Sequence, residues 1–216
     1  MTRKIVPIKA VENELIIKKS RFIGNLKYVT TIEAARSFIV ESKKKFKKAN
    51  HNVPAFIIGH GNSVIEHCSD DGEPQSTAGH PILHVLKSKE IGDIVVVVTR
   101  YFGGIKLGKG GLVRAYSDTV IDLLQNTIWG EKLTIVEFEI VVDYRYFEQI
   151  NKLLIQELVS NIHSEFLERV TIKGIIPQKL FEKVQIAVTN LLQNPDSIRT
   201  VKEREDVVPA KDFIIK

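Results

Sequence analysis

The run Ile94-Val95-Val96-Val97-Val98, followed at once by Thr99-Arg100-Tyr101-Phe102-Gly103-Gly104-Ile105-Lys106-Leu107-Gly108-Lys109-Gly110-Gly111, constrains this chain more than any other segment. An uninterrupted β-branched run reads as a strand covered on both faces, because a half-exposed strand alternates apolar and polar residues. Beyond the glycines, Leu112, Tyr116, Val120, Leu123 and Leu124 recur at helical spacing. Between strand and helix lies a glycine-rich connection bearing Arg100, Lys106, Lys109 and Arg114. Glycines let backbone amides approach a ligand, and a helix start adds unpaired N–H groups and a positive dipole end. The segment therefore reads as an anion site, with Gly104, Gly108, Gly110 and Gly111 giving access and the four cations giving charge. The structural alternative is a tight strand-to-helix turn and a close helix-to-sheet contact. Gly103 to Lys109 fits G-x-x-x-x-G-K, but Gly110 stands where a P-loop needs a Ser or Thr hydroxyl for magnesium, which argues against an ATPase loop. Tyr101 and Phe102 are placed to stack a base, with core packing the alternative for one of them.

A second cluster precedes the strand. Asp70, Asp71 and Glu73 flank Gly72, so three carboxylates are available to hold a divalent cation against a bound phosphate. The competing reading, which the residues favour, is that Asp-Gly sets a turn while the acids cap the next helix or pair with Arg100 or Arg21. Cys68 beside His67, and His51, His60, His80 and His84 elsewhere, form no recognisable metal or thiol-nucleophile pattern. No cofactor motif is present.

With Ser20-Arg21-Phe22-Ile23-Gly24 and Asp70-Asp71-Gly72-Glu73-Pro74-Gln75-Ser76-Thr77-Ala78-Gly79-His80-Pro81-Ile82-Leu83, the glycine loop completes three separated motifs that resemble the signature of the IMPACT/YigZ family. The resemblance covers essentially the whole chain, more weakly over the last eighty or so residues. It implies an α+β protein: an N-terminal domain with the fold of ribosomal protein S5 domain 2, then a domain similar to the C-terminal domain of elongation factor G. Eukaryotic relatives act in translational control, and no reaction carries over from the bacterial two-domain members. His51-Asn52-Val53-Pro54-Ala55 departs from the polar or aromatic residues common after the His-Asn pair, and His80 stands where Lys or Arg is usual.

The residues themselves also support two α+β domains, 1–130 and 131–216. In the first, Val11 to Lys19 and Phe22 to Val29 read as a hairpin, and Thr30-Thr31-Ile32-Glu33 as a capping box opening a helix. Val53 to His60 and Ser63 to Cys68 form a second pair, followed by a short helix around Pro81 to Leu86. The boundary falls at Asn126 to Thr134, where Gly130 begins a polar break and Trp129 suggests an inter-domain contact. After it, Ile135 to Val142, Tyr146 to Leu158, Val159 to Phe166, Arg169 to Ile176, Pro177 to Leu192 and Ser197 to Lys202 give the order βαββαβ, a ferredoxin-like unit. A charged tail, 203–216, pairs at an edge or stays free.

Charge divides the two parts. Residues 1–130 carry 19 Lys and Arg against 12 Asp and Glu, a net +7, whereas residues 131–216 carry 12 against 14, a net −2. Part of the excess is Lys43-Lys44-Lys45-Phe46-Lys47-Lys48, read as a solvated helix end unless its lysines share a face with Arg100 and Lys109. No apolar run reaches the length of about 20 residues that spans a bilayer, no signal-peptide pattern opens the chain, and the single cysteine suits a reducing compartment, so a cytoplasmic location is expected. Three functions stay open. The first is a translation-associated regulatory or binding protein contacting RNA, the ribosome or a translation factor through its basic first domain. The second is an enzyme acting on a phosphate-containing ligand with the acidic and glycine-rich loops. The third is a protein adaptor without nucleic-acid binding. Arg21 and Tyr101 complete the candidate anion and nucleic-acid site, and binding is favoured over catalysis.

Overall fold

The computed structural model describes residues 3–61, 63–157 and 159–210. They form two compact units, one holding residues up to Glu131 together with those from Val207, the other Lys132–Asp206. In the first unit, β1 (Ile5–Pro7) is followed by the hairpin β2 (Val11–Ile17) and β3 (Ser20–Tyr28). Lys18 and Lys19 sit at φ 45° and 66° in the connecting turn. A two-residue hairpin loop of this hand needs positive φ at both positions, and here two lysines accept it in place of Asn-Gly. Helix α1 (Ile32–Lys45) starts at Thr31, whose hydroxyl accepts from the Ala34 N–H, so the N-cap lies one residue beyond the Thr30 that a Thr30–Glu33 capping box would use.

β4 (His51–Ile58), β5 (Ile65–Cys68), α2 (Gly79–Ser88), β6 (Ile94–Tyr101) and α3 (Gly108–Gln125) complete the unit. The sheet order is β2-β3-β6-β4-β5, with every neighbouring pair antiparallel. Alternate residues of β6 serve two cores: Ile94, Val96 and Val98 pack with Ile82, Leu86, Tyr116 and Leu123 from α2 and α3, whereas Val95 packs with Ala35, Phe38 and Ile39 of α1. Burial on both faces explains why β6 lacks polar alternation, even though its neighbours run antiparallel. The three signature segments meet at one end of β6, where Arg21 pairs with Tyr101 in register and Glu73 bonds to Arg100.

Residues 129–134 are not a break. Strand β7 (Trp129–Val142) begins there, and Trp129–Glu131 pairs antiparallel with β1. Trp129 packs into the first unit's core and its indole N–H donates to the Leu124 carbonyl at 3.2 Å. Gly130 is buried and closely packed, so that a Cβ there would lie 2.5 Å from Val207 and 3.0 Å from Ile8.

The second unit continues with α4 (Tyr144–Gln156), β8 (Ser160–Phe166), β9 (Val170–Pro177), α5 (Gln178–Leu192), one 3₁₀ turn at Pro195–Ser197 and β10 (Ile198–Pro209). Its element order is βαββαβ and its strand order β10-β7-β9-β8. Val136, Phe138, Ile140, Ile150, Leu154, Ile172, Val184 and Val188 fill its core. β10 runs well past Lys202, so residues 203–209 of the expected charged tail are strand, with Arg204 bonded to Glu137 at 2.9 Å and Asp206 at 2.8 Å. Residues 211–216 of that tail lie outside the described residues. No helix among the described residues is long and apolar enough to cross a membrane.

Candidate functional site

The three motifs converge on one buried ion pair. Arg100, only 5% exposed, donates through Nη1 to both carboxylate oxygens of Glu73, at 2.7 and 3.0 Å. Glu73 also accepts from the Tyr116 hydroxyl at 2.7 Å, and Nη2 of Arg100 reaches Ser20 Oγ at 3.5 Å. The guanidinium lies between two rings, 5.4 Å from the Phe22 centroid and 5.5 Å from that of Phe102. Phe22 in turn meets Tyr116 edge-on at 5.3 Å. Burial, then the charge and hydrogen bond of Glu73, push the Tyr116 phenol far above its ordinary range, so it remains a donor. His51 Nδ1 lies 2.9 Å from the Asp71 carbonyl oxygen, which only accepts, so Nδ1 carries the hydrogen; Nε2 lies 3.8 Å from Glu73.

The acidic loop is spent on its own architecture. Asp70 accepts from the N–H groups of Ser76 (2.7 Å), Ala78 (3.1 Å) and Gly79 (2.9 Å), which closes the loop and satisfies the start of α2. Asp71 accepts from the Asn52 N–H and pairs with Lys43, both at 2.6 Å. With Glu73 turned inward, the three carboxylates do not share a cation site, and no metal-holding cluster occurs among the described residues. Burial would raise the Asp70 carboxyl, but the Ser76, Gly79 and Ala78 N–H groups, with His80, outweigh it and hold it below the ordinary carboxylate value. A depressed folded-state value means that Asp70 supplies stability above its unfolded pKa and loses it as pH falls through the lowered one. Asp70→Asn should therefore flatten the acid limb of stability between about pH 5 and pH 2, read from urea midpoints; an unchanged limb would contradict these bonds.

Burial first, then Asp70 and Glu66, raise the Cys68 thiol, which disfavours the thiolate a nucleophile needs. His67 lies against the Phe56 ring at 5.2 Å, while His80 and His84 are exposed on α2.

The glycine-rich connection is built differently. Gly103 packs so closely on the β2–β3 turn that a Cβ would sit 2.0 Å from the Lys19 carbonyl, and its N–H donates to Ser20 Oγ at 3.1 Å. Gly104 and Gly108 have φ of 84° and 74°, and at Gly104, Gly108 and Gly110 the space beside the backbone is open. Helix α3 starts at Gly108, four residues before its apolar stripe, with Gly108, Lys109, Gly110 and Gly111 as its first turn. Leu107 at the cap position offers no side-chain hydrogen bond, and the first turn holds no acid.

The cations divide into two groups. Arg100 is inside, and Arg21 binds Glu14 through two 2.9 Å hydrogen bonds while lying 5.4 Å from the ring of half-buried Tyr101. Both therefore already hold carboxylates. Lys106, Lys109 and Arg114 are exposed and have no carboxylate partner among the described residues. In the lysine run, Lys43 and Lys45 hold Asp71 and Glu12, whereas Lys44, Lys47 and Lys48 are exposed.

Two participants escaped the sequence reading: Tyr116, placed in the helix's buried stripe but not at the ion pair, and Asn50, whose Oδ1 accepts from the Phe102 N–H at 2.8 Å. A tyrosine in an apolar stripe signals that a partner for its hydroxyl is near. Elsewhere in the unit, His60, Glu66, Lys87 and Glu90 are among the residues lining a cleft of about 400 Å³, with His60 Nε2 3.4 Å from buried Asp93.

An α+β module whose separated motifs close on a buried Arg–Glu–Tyr cluster, beside an uncapped glycine-rich helix start, defines the class. Residues 18–124 match the Impact N-terminal domain. The chain is 38% identical over 193 residues to IMPACT family member YvyE of Bacillus subtilis, covering 88% of each protein. It is 36% identical over 172 residues to IMPACT family member YigZ of Escherichia coli, covering 79% of this chain and 83% of that one. A crystal structure of a hypothetical protein superposes with a TM-score of 0.61 at 29% identity, over 99% of this chain and 100% of the other. The chain belongs to the IMPACT family.

Proposed function

We propose that this protein is a translation-associated binding or regulatory factor that contacts RNA, free or on the ribosome, through the basic surface of its first unit. The observation that carries the reading is the segment 101–117, which contains Lys106, Lys109 and Arg114 and no acid. Those three cations are exposed and uncommitted among the described residues, whereas Arg21 and Arg100 are neutralised by Glu14 and Glu73. The helix start beside them adds unpaired N–H groups where a phosphate is favoured. Commitment of Asp70, Asp71 and Glu73 to protein partners weighs against phosphoryl chemistry in the same loops. Resemblance to eukaryotic family members supplies the translation setting. The first unit is read as S5 domain 2-like, and the βαββαβ unit, with order β10-β7-β9-β8, as ferredoxin-like and similar to the C-terminal domain of elongation factor G.

Co-sedimentation of the full chain with ribosomes over a salt series tests this. Binding at low salt that weakens steeply between about 50 and 200 mM is expected, because each neutralised phosphate releases a counterion. Lys109→Ala should flatten the log–log slope by up to about one unit. Salt-insensitive binding would point to a protein adaptor, and no binding even at about 20 mM salt would overturn the RNA reading.

A further inference from the structure

Phe102 is the part of this loop that phosphate chemistry does not use. Phe102 is 45% exposed; its backbone N–H donates to Asn50 Oδ1, and its ring lies 5.5 Å from the Arg100 guanidinium. Arg100 is itself fixed by Glu73 and, 5.4 Å away, by Phe22. A backbone tied to Asn50 and a ring resting on a guanidinium restrict Phe102, which lowers the rotamer freedom lost when a flat group stacks on it. Around it in the chain stand exposed Ile105 and Val113 and the uncommitted Lys106, Lys109 and Arg114. An exposed ring beside acid-free cations is the arrangement by which single strands are held, bases on rings and phosphates on cations. We infer that Phe102 is the stacking platform for an unpaired base of single-stranded RNA, with Lys106 and Lys109 taking the adjoining phosphates. This rests on the RNA reading above and narrows it, since bases in a duplex are stacked on one another and offer no face to the ring.

The test compares Phe102→Leu, which keeps an apolar cover over Arg100 without a ring, and Phe102→Tyr, which keeps the ring. The full chain is titrated with single-stranded oligo(A), an RNA duplex and inorganic polyphosphate at low salt. Phe102→Leu should weaken oligo(A) binding about tenfold, Phe102→Tyr should restore it, and polyphosphate affinity should stay unchanged. The salt slope for oligo(A) should also persist, because no phosphate contact is removed. Wild-type oligo(A) affinity in Phe102→Leu, or duplex bound as tightly as single strand, overturns the stacking site and leaves the broader RNA reading standing. An equal loss for polyphosphate also overturns it, by showing a disturbed cation surface. Failure of the wild-type chain to bind any RNA overturns both.

Discussion

Glu73→Gln lowers the unfolding free energy by about 3–5 kcal/mol, because it removes the carboxylate that both hydrogen-bonds and neutralises the buried Arg100 guanidinium. Arg100 is 5% exposed, packed between Phe22 and Phe102, and its Nε has no hydrogen-bond partner among the described residues. Glutamine still accepts from Tyr116, so the cost falls on the buried charge rather than on the phenol. Urea denaturation of the full-length protein measures it. The double variant Arg100→Met/Glu73→Gln should be less destabilised than Glu73→Gln alone, because the buried charge is removed while the glutamine still accepts from the Tyr116 hydroxyl. A loss below about 1 kcal/mol for Glu73→Gln would mean that the charge is solvated after all.

This cluster also marks how far the sequence could be read. Ile94 to Val98 announced a strand buried on both faces, and α2 and α3 on one side with α1 on the other account for it. The residues favour acids that set a turn, cap α2 or pair with Arg100 or Arg21, but nothing in local spacing decides which acid does which, or whether an arginine faces solvent or a carboxylate 27 residues away. Glycines carry poor helix propensity, so the apolar period of α3 becomes visible only at Leu112, four residues after the helix begins. In sequence, residues 129–134 read as a polar break, which the start of β7 overturns, whereas edge pairing, one of the two outcomes open to the charged tail, is what residues 203–209 show in β10. Their strand character comes from backbone pairing with distant segments: Trp129–Glu131 with β1, and β10 with β7. Long-range pairing of this kind leaves no periodic trace in either segment.

The largest effect on binding is expected from the triple variant Lys106→Glu/Lys109→Glu/Arg114→Glu. Reversing three charges removes the phosphate contacts and adds repulsion, a loss of at least about 100-fold at low salt. Folding should be almost untouched, since exposed residues without partners contribute within about 0.5 kcal/mol. Lys109→Glu even places an acid in the first turn of α3, which has none, where the helix dipole favours it. Binding and stability therefore move independently, which separates an interaction surface from a structural loop. Titrating single-stranded RNA of about 12 nucleotides into wild-type and triple-variant protein at low salt, with urea midpoints in parallel, is the most direct measurement. Tight wild-type binding, lost in a variant of unchanged or higher stability, is the expected result; equal RNA affinity in the two proteins would contradict the assignment of this surface.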